Sequence, residues 1–255
     1  MWRETISLKD MGTALLDMVM PRSCVVCGRH LILRERFICT SCLSELPLTY
    51  YWKMSRNPMA DRFNGKIQDG LQVFEPYSYA CALFFYHRDS PYNHITQHLK
   101  YDGGIASGRY FSQLLATRVA SAEMFADADM VIPVPLHRSR RRRRGYNQAE
   151  VIAGVLAQTL GAELRTDILR RARKTATQTR LSVEEKEKNV AAAFRVNGKA
   201  ARRFAAEDSW PEHVLLIDDV FTTGATMNEC RKTLRTLFPA RVRISAVTLA
   251  FVAEV

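Results

Sequence analysis

Residues 214–226 read VLLIDDVFTTGAT. Four apolar residues run into the adjacent acids Asp218 and Asp219, and a Thr-Thr-Gly turn with a further threonine follows at once. An apolar run of this length, bounded by turn residues, predicts a strand buried on both faces. Other strand candidates are CALFFYH (81–87), DMVIPVPL (129–136) and RVRISAVTLAFV (241–252). Helical periodicity marks YNHITQHLKY (92–101), GRYFSQLLATRVASAEMF (108–125), GYNQAEVIAGVLAQTL (145–160) and TMNECRKTLRTLF (226–238). Apolar strands alternating with helices predict an α/β fold with a central parallel sheet covered on both faces. Ligands of such sheets sit at the carboxyl ends of the strands.

That edge is where VLLID delivers Asp218 and Asp219. The loop Phe221-Thr222-Thr223-Gly224-Ala225-Thr226 then runs straight into a helix. Amides at a helix start, threonine hydroxyls and a glycine that permits close approach make a cradle for phosphate. Carboxylates are poor neighbours for a phosphate but good acceptors for vicinal sugar hydroxyls. A ribose 5-phosphate satisfies both halves. The competing reading is an acidic strand end followed by an ordinary capped turn. No G-x4-G-K-[ST] and no G-x-G-x-x-G is present, which disfavours P-loop and dinucleotide-binding sites.

The 255 residues suit one α/β domain with a small accessory module. A hydrophobic share of 47% and a charged share of 25% are those of a globular chain with a full core. The net charge of +11 favours phosphorylated or polyanionic partners, although arginines also cover solvated faces. No apolar run is long enough to span a membrane, so no membrane insertion is expected. Residues 1–20 read as an amphipathic helix, with Leu8, Met11, Leu15, Met18 and Val19 near one face and Pro21 ending it. MGTALLDMVM (11–20) is short, carries Asp17 and lacks a cleavage site, so it is not read as a signal peptide, and a cytoplasmic location is expected.

Cys24-Val-Val-Cys27 and Cys39-Thr-Ser-Cys42 form two C-x2-C pairs separated by 11 residues. Four thiolates surround Zn²⁺ tetrahedrally, leave no open position for catalysis, and supply the stability that so small a module cannot draw from its own core. Residues 21–47 are therefore expected to be a zinc-stapled finger whose chain turns back through a hairpin over Leu31–Phe37. His30 is an alternative ligand or a surface residue. Cys81 and Cys230 fall in strand and helix contexts and read as buried, inert thiols. Residues 48–74 lack a clear period and suit a linker or a partly packed connection to a domain over 75–255.

The thirteen-residue stretch resembles the phosphoribosyl pyrophosphate (PRPP) motif of type I phosphoribosyltransferases. IPVPLHRSRRRRRGYNQAE (132–150), LRRARKTATQTRLS (169–182) and KEKNVAAAFRV (186–196) extend the likeness. With the four-cysteine finger, the chain resembles the ComF/GntX family of phosphoribosyltransferase-like competence proteins. The departures are Tyr146 where the family often has Phe, Phe221 in a variable slot, and Lys186 in place of an expected Arg. The resemblance implies a type I phosphoribosyltransferase-like fold, PRPP bound with Mg²⁺ by Asp218, Asp219, Thr222, Thr223, Gly224, Ala225 and Thr226, and a role in natural transformation. It implies two alternatives for activity: transfer of ribosyl 5-phosphate to an unknown acceptor, or PRPP sensing by an accessory protein that binds single-stranded DNA or DNA-uptake proteins. It identifies no general base.

Basic residues supply the rest. Lys100, Arg171, Arg173 and Lys186 are candidates for the pyrophosphate end, with a surface lysine at a helix C-terminus as the alternative for Lys100. Thr175, Gln178 and Leu181 fit the family pattern T-x2-Q-x2-L in a polar segment that would order over ligand, where Asn189 caps or bridges or has a purely structural role. Six of the seven residues 138–144 are arginine: Arg138, Arg140, Arg141, Arg142, Arg143 and Arg144. They suit a solvated face or an anion platform serving PRPP or a nucleic-acid backbone. Tyr146 would stack on a base or pack on the neighbouring helix.

Overall fold

The computed structural model describes residues 17, 19–65, 75–87, 89–101, 104–172, 192–207 and 209–253. Its centre is a sheet of five parallel strands, β1 (Ala80–Phe85), β2 (Met130–Pro133), β3 (Glu163–Leu164), β6 (His213–Phe221) and β7 (Arg243–Phe251), in the order β1-β7-β6-β2-β3. The expected α/β class and parallel sheet are what the chain adopts. A separate antiparallel pair, β4 (Leu169–Arg171) with β5 (Phe194–Val196), was not anticipated. Its three-residue strands are too short to show a period.

Strand order fixes where a ligand fits. From β6 the chain returns to β7 on one side, whereas from β2 it goes on to β3 on the other. Successive connections therefore diverge between β6 and β2, the point at whose carboxyl edge open α/β sheets form their ligand crevice. The segments after β6 and β2 are the Thr222–Thr226 turn and the arginine run.

Helices cover the sheet because their small and apolar residues allow close approach. The helix α4 (Ile105–Ala120) packs on α6 (Gln148–Leu160), and α6 lies on β2 and β6. Phe111, Leu115, Ile152 and Leu156 are fully or almost fully buried there. The expected helix over 145–160 is in fact preceded by a separate helix, α5 (Arg138–Arg144). Gly145 at φ +84° breaks the chain between them, and the Asn147 side chain caps α6 by accepting the Ala149 N–H at 3.2 Å. On another flank, α8 (Ala225–Arg235) contacts β4, β5 and β6, and α7 (Gly198–Glu207) adds Phe204 to an aromatic cluster with Trp210 and Phe238.

Residues 48–65, expected as a linker or partly packed connection, are packed. Leu48 bridges to Phe84, and Trp52 is buried in a short 3-10 turn (Tyr51–Lys53). In α2 (Pro58–Gly65), Met59, Ala60 and Phe63 have no exposed surface. The amphipathic helix expected over 1–20 lies almost wholly outside the described residues.

At the opposite, amino edge of the sheet, buried His213 is held between Asp127 (Nδ1 to Oδ1, 2.6 Å) and Ser245 (Nε2 to Oγ, 2.7 Å). Ser245 is fully buried and also accepts the Tyr79 N–H. With His213 and Ser245 both fully buried, this Asp-His-Ser arrangement ties β6, β7 and the loop before β2 together. Burial holds the imidazole below its ordinary pKa, against the pull of Asp127.

Candidate functional site

The strand β6 runs on through Asp218 and Asp219 to Phe221 instead of ending at Asp218. Phe221 is buried against Phe63 and Phe251, and Asp218 remains in register with Thr248 of β7. The two acids therefore sit on strand backbone, and the turn starts at Thr222. Gly224 adopts φ +77°, and a Cβ there would lie 2.7 Å from the Phe221 ring, so both conformation and space require glycine. Gly224 is the N-cap of α8, so the first-turn amides of that helix begin just past the carboxyl end of β6. Thr223 is buried and its hydroxyl accepts the Ala225 N–H at 3.3 Å, so it braces the turn. Thr222 and Thr226 remain partly accessible.

One contact behind this turn was not legible in sequence. The Arg62 guanidinium, from α2, donates to the carbonyls of Thr222 and Val252 at 2.9 Å each and of Ala253 at 2.8 Å, and stacks on Phe251. It ties the turn to the end of β7.

The adjacent acids do not titrate alike. Lys100 Nζ lies 2.7 Å from Asp219 Oδ2. Burial disfavours the charge on Asp219, but the Lys100 ammonium outweighs it and holds that carboxyl below its ordinary value. Asp218 is driven the other way: although part of its side chain is accessible, the dense surroundings and the neighbouring Asp219 charge raise it well above the carboxylate range. Burial opposes the Lys100 charge too, yet Asp219 keeps its pKa raised. Lys100 and the shared burial thus drive the titrations of the two neighbouring acids in opposite directions.

Lys100 ends α3 (Asn93–Lys100), so the expected cation does reach the crevice. Arg171 stacks on Phe194 and is close enough to Asp218 and Arg140 for their charges to act on it. Arg173 and Lys186 lie outside the described residues, as do Thr175, Gln178, Leu181 and Asn189. The arginine run divides by helical period. Arg140 and Arg144, one turn apart, are half-buried; Arg144 stacks on Tyr101 and its charge acts on Asp219. Arg138, Arg141, Arg142 and Arg143 are exposed, and Arg138, Arg141 and Arg142 line a shallow depression with Gly145. Arg141 is paired with Glu150 at 3.0 Å. Of the two roles open to Tyr146, packing is the one seen: its hydroxyl donates to the Leu99 carbonyl at 2.5 Å.

The four cysteine sulfurs all lie within 4.8 Å of one another. A tetrahedral ion with metal–sulfur bonds of about 2.3 Å places its sulfurs about 3.8 Å apart, and Cys27 Sγ and Cys39 Sγ are 3.8 Å apart. The donor set thus fits a closed structural site. His30 is exposed and outside the cluster. The return through Leu31–Phe37 is organised by a buried carboxylate instead of a hairpin ladder. Glu35 accepts the N–H groups of Ile32 (3.0 Å) and Thr40 (2.6 Å) and the Thr40 hydroxyl. Those backbone donors, led by Thr40, hold its pKa down. Burial raises the Cys81 and Cys230 thiols, as expected of inert core cysteines.

No model of a known protein family matches the chain. It is 26% identical over 225 residues to competence protein F of Haemophilus influenzae, an alignment covering 87% of this chain and 94% of that protein. It is 30% identical over 147 residues to DNA utilization protein YhgH of Shigella flexneri, covering 56% of this chain and 61% of that one. The Salmonella typhi protein of the same name is 34% identical over 106 residues, covering 42% and 43%. The chain therefore aligns with less than two thirds of these YhgH proteins but with nearly all of competence protein F. No helix among the described residues is long and apolar enough to cross a membrane. With a four-cysteine cluster near its N-terminus and a parallel α/β sheet behind it, the chain is a homologue of competence protein F and of the DNA utilization proteins YhgH.

Proposed function

We propose that the crevice above β6 and β2 binds PRPP with Mg²⁺, in a type I phosphoribosyltransferase-like domain stapled by Zn²⁺ at Cys24, Cys27, Cys39 and Cys42. One observation carries the reading: the acid pair and the glycine turn occupy the carboxyl edge where the sheet's connections diverge. Asp218 and Asp219 accept the 2- and 3-hydroxyls of the pentose. Amides of the Thr222–Thr226 turn and the hydroxyls of Thr222 and Thr226 take its 5-phosphate. Lys100, Arg171 and the Arg140–Arg144 face lie on the cationic side, where they stabilise negative charge gathering on a departing pyrophosphate. Mg²⁺ supplies further charge neutralisation at the pyrophosphate oxygens. Isothermal titration with PRPP and Mg²⁺ tests this. Saturable binding is expected for the native chain and none for the Asp218→Ala/Asp219→Ala variant. Equal binding by both defeats the assignment.

A second element of the reading concerns DNA. The relatives' names associate them with competence and DNA utilization, and we extend that association to this chain through the outward arginines of α5. Arg138, Arg142 and Arg143 are exposed, which suits the backbone of single-stranded DNA. Replacing Arg142 and Arg143 with glutamate should weaken oligothymidylate binding about 10-fold or more at low salt and flatten its salt dependence. PRPP binding should stay intact. An unchanged salt slope contradicts the assignment.

A further inference from the structure

The module that carries the four cysteines and the helix that carries Lys100 are joined end to end. At the start of α3, the Tyr92 hydroxyl donates to the Cys42 carbonyl at 3.0 Å, and His94 Nδ1 reaches the Val26 carbonyl at 3.3 Å. Val26 lies inside the first cysteine pair and Cys42 closes the second, so both carbonyls belong to the loops that shape the sulfur cluster. The helix is eight residues long, a rod of about 12 Å. Ile95, Thr96 and Leu99 bury one side of it. At its far end Tyr146 donates to Leu99 O, His98 Nδ1 contacts the Ser107 hydroxyl at 2.9 Å, and Lys100 Nζ meets Asp219.

We infer that the four-cysteine module acts as a splint for the candidate site: through Tyr92 and His94 it fixes the axial position of α3 and thereby sets where the Lys100 ammonium stands relative to Asp219. Tyr92 and His94 are positioning residues, acting through Lys100. The physical basis is the stiffness of a short, packed helix. A lysine on a flexible stem gains little from preorganisation unless its Cα is fixed, and a displacement of the order of 1 Å at the helix start is transmitted along the rod to its end. A further contact between module and domain, Phe37 on Tyr110 of α4 at 5.7 Å between ring centres, anchors the module to the helix on which α3 rests.

The inference rests on the proposed site only where ligand affinity is measured, so the test has two readouts. Tyr92→Phe and His94→Ala, combined in the full chain, remove both hydrogen bonds and leave the sulfur ligands in place; metal content should match the native chain. The ammonium resonance of Lys100, which follows its pairing with Asp219 without any ligand, should move toward that of a free lysine. Affinity for inorganic pyrophosphate with Mg²⁺ should fall roughly 5- to 20-fold, and the same pair of changes in a Lys100→Met background should produce no further fall. An unmoved ammonium resonance overturns the splint, and so does an equal loss of affinity in the Lys100→Met background. Should the native chain not bind pyrophosphate, the reading of the site fails, and the resonance alone decides the splint.

Discussion

Replacing Cys24 and Cys39 together with serine is expected to unfold residues 22–47 and abolish metal binding at the four-cysteine cluster. Cys24, Val26, Leu31, Ile38, Cys39, Cys42 and Leu46 make up most of the module's buried apolar content, and three of these seven are metal-ligand candidates. A core this thin does not offset the entropy of ordering some 25 residues at about 1–2 kcal/mol each. Metal binding contributes about 10–16 kcal/mol in isolated zinc fingers, so losing two of four thiolates removes the main stabilising term. Burial opposes ionisation of Cys24, but backbone N–H groups of Cys27, Cys39 and Val26 overcome it and bring the thiol to about 7, which makes the nest receptive to a cation. Metal per chain, measured by emission spectroscopy, should fall from one to zero, and amides from Cys24 to Cys42 should lose protection from exchange. The sheet should keep its protection. A serine variant with native protection across the module contradicts a structural metal.

Asparagine at the two acidic positions should have opposite effects on stability. An acid whose folded pKa is raised holds its proton in the folded protein at pH values where the unfolded chain has lost it. Stability is then lost as pH rises from the ordinary carboxylate range through the folded value. Asp218 is such a group, and Asp218→Asn removes the titration. The variant should melt a few degrees higher than the native chain at pH 8, roughly 3–6 °C for a gain of 1–2 kcal/mol, and the two should converge toward pH 4. Asp219 is held below its ordinary value by Lys100, so its stabilising contribution is present at neutral pH and is lost on acidification. Asp219→Asn leaves part-exposed Lys100 without its carboxylate and should lower the melting temperature at pH 8, at a cost of about 1–3 kcal/mol. Both variants should lose PRPP affinity. Stability gained at the expense of binding marks a site kept for its ligand. Scanning calorimetry across pH 4–8 measures both, and a lower midpoint for Asp218→Asn at pH 8 contradicts the upward shift of Asp218.

Much of this architecture is legible in the chain itself. VLLI announces a central strand because a sheet covered on both faces demands continuous apolar residues, and the spacing of the four cysteines announces their cluster. The strand's true end is less visible, since Val220 and Phe221 continue β6 past a pair of acids that Lys100 and the surroundings accommodate. Arg62 is beyond sequence reasoning altogether, because its partners Thr222 and Val252 lie 160 and 190 residues away. Nothing in MADRFNG distinguishes it from a surface arginine. The arginine run shows its density in sequence but not its division. Only the helix that starts at Arg138 and the break at Gly145 half-bury Arg140 and Arg144, bring the Arg144 charge to bear on Asp219, and leave Arg142 and Arg143 exposed. Tyr146 has a hydroxyl that a phenylalanine lacks, and its use at Leu99 appears only once α3 is in place.

The most direct test is a crystal structure with PRPP and Mg²⁺ bound. The account predicts the 5-phosphate within hydrogen-bonding distance of the turn amides between Thr222 and Thr226, with the pentose hydroxyls on Asp218 and Asp219. The sugar found elsewhere, or with its phosphate turned away from Gly224, contradicts it.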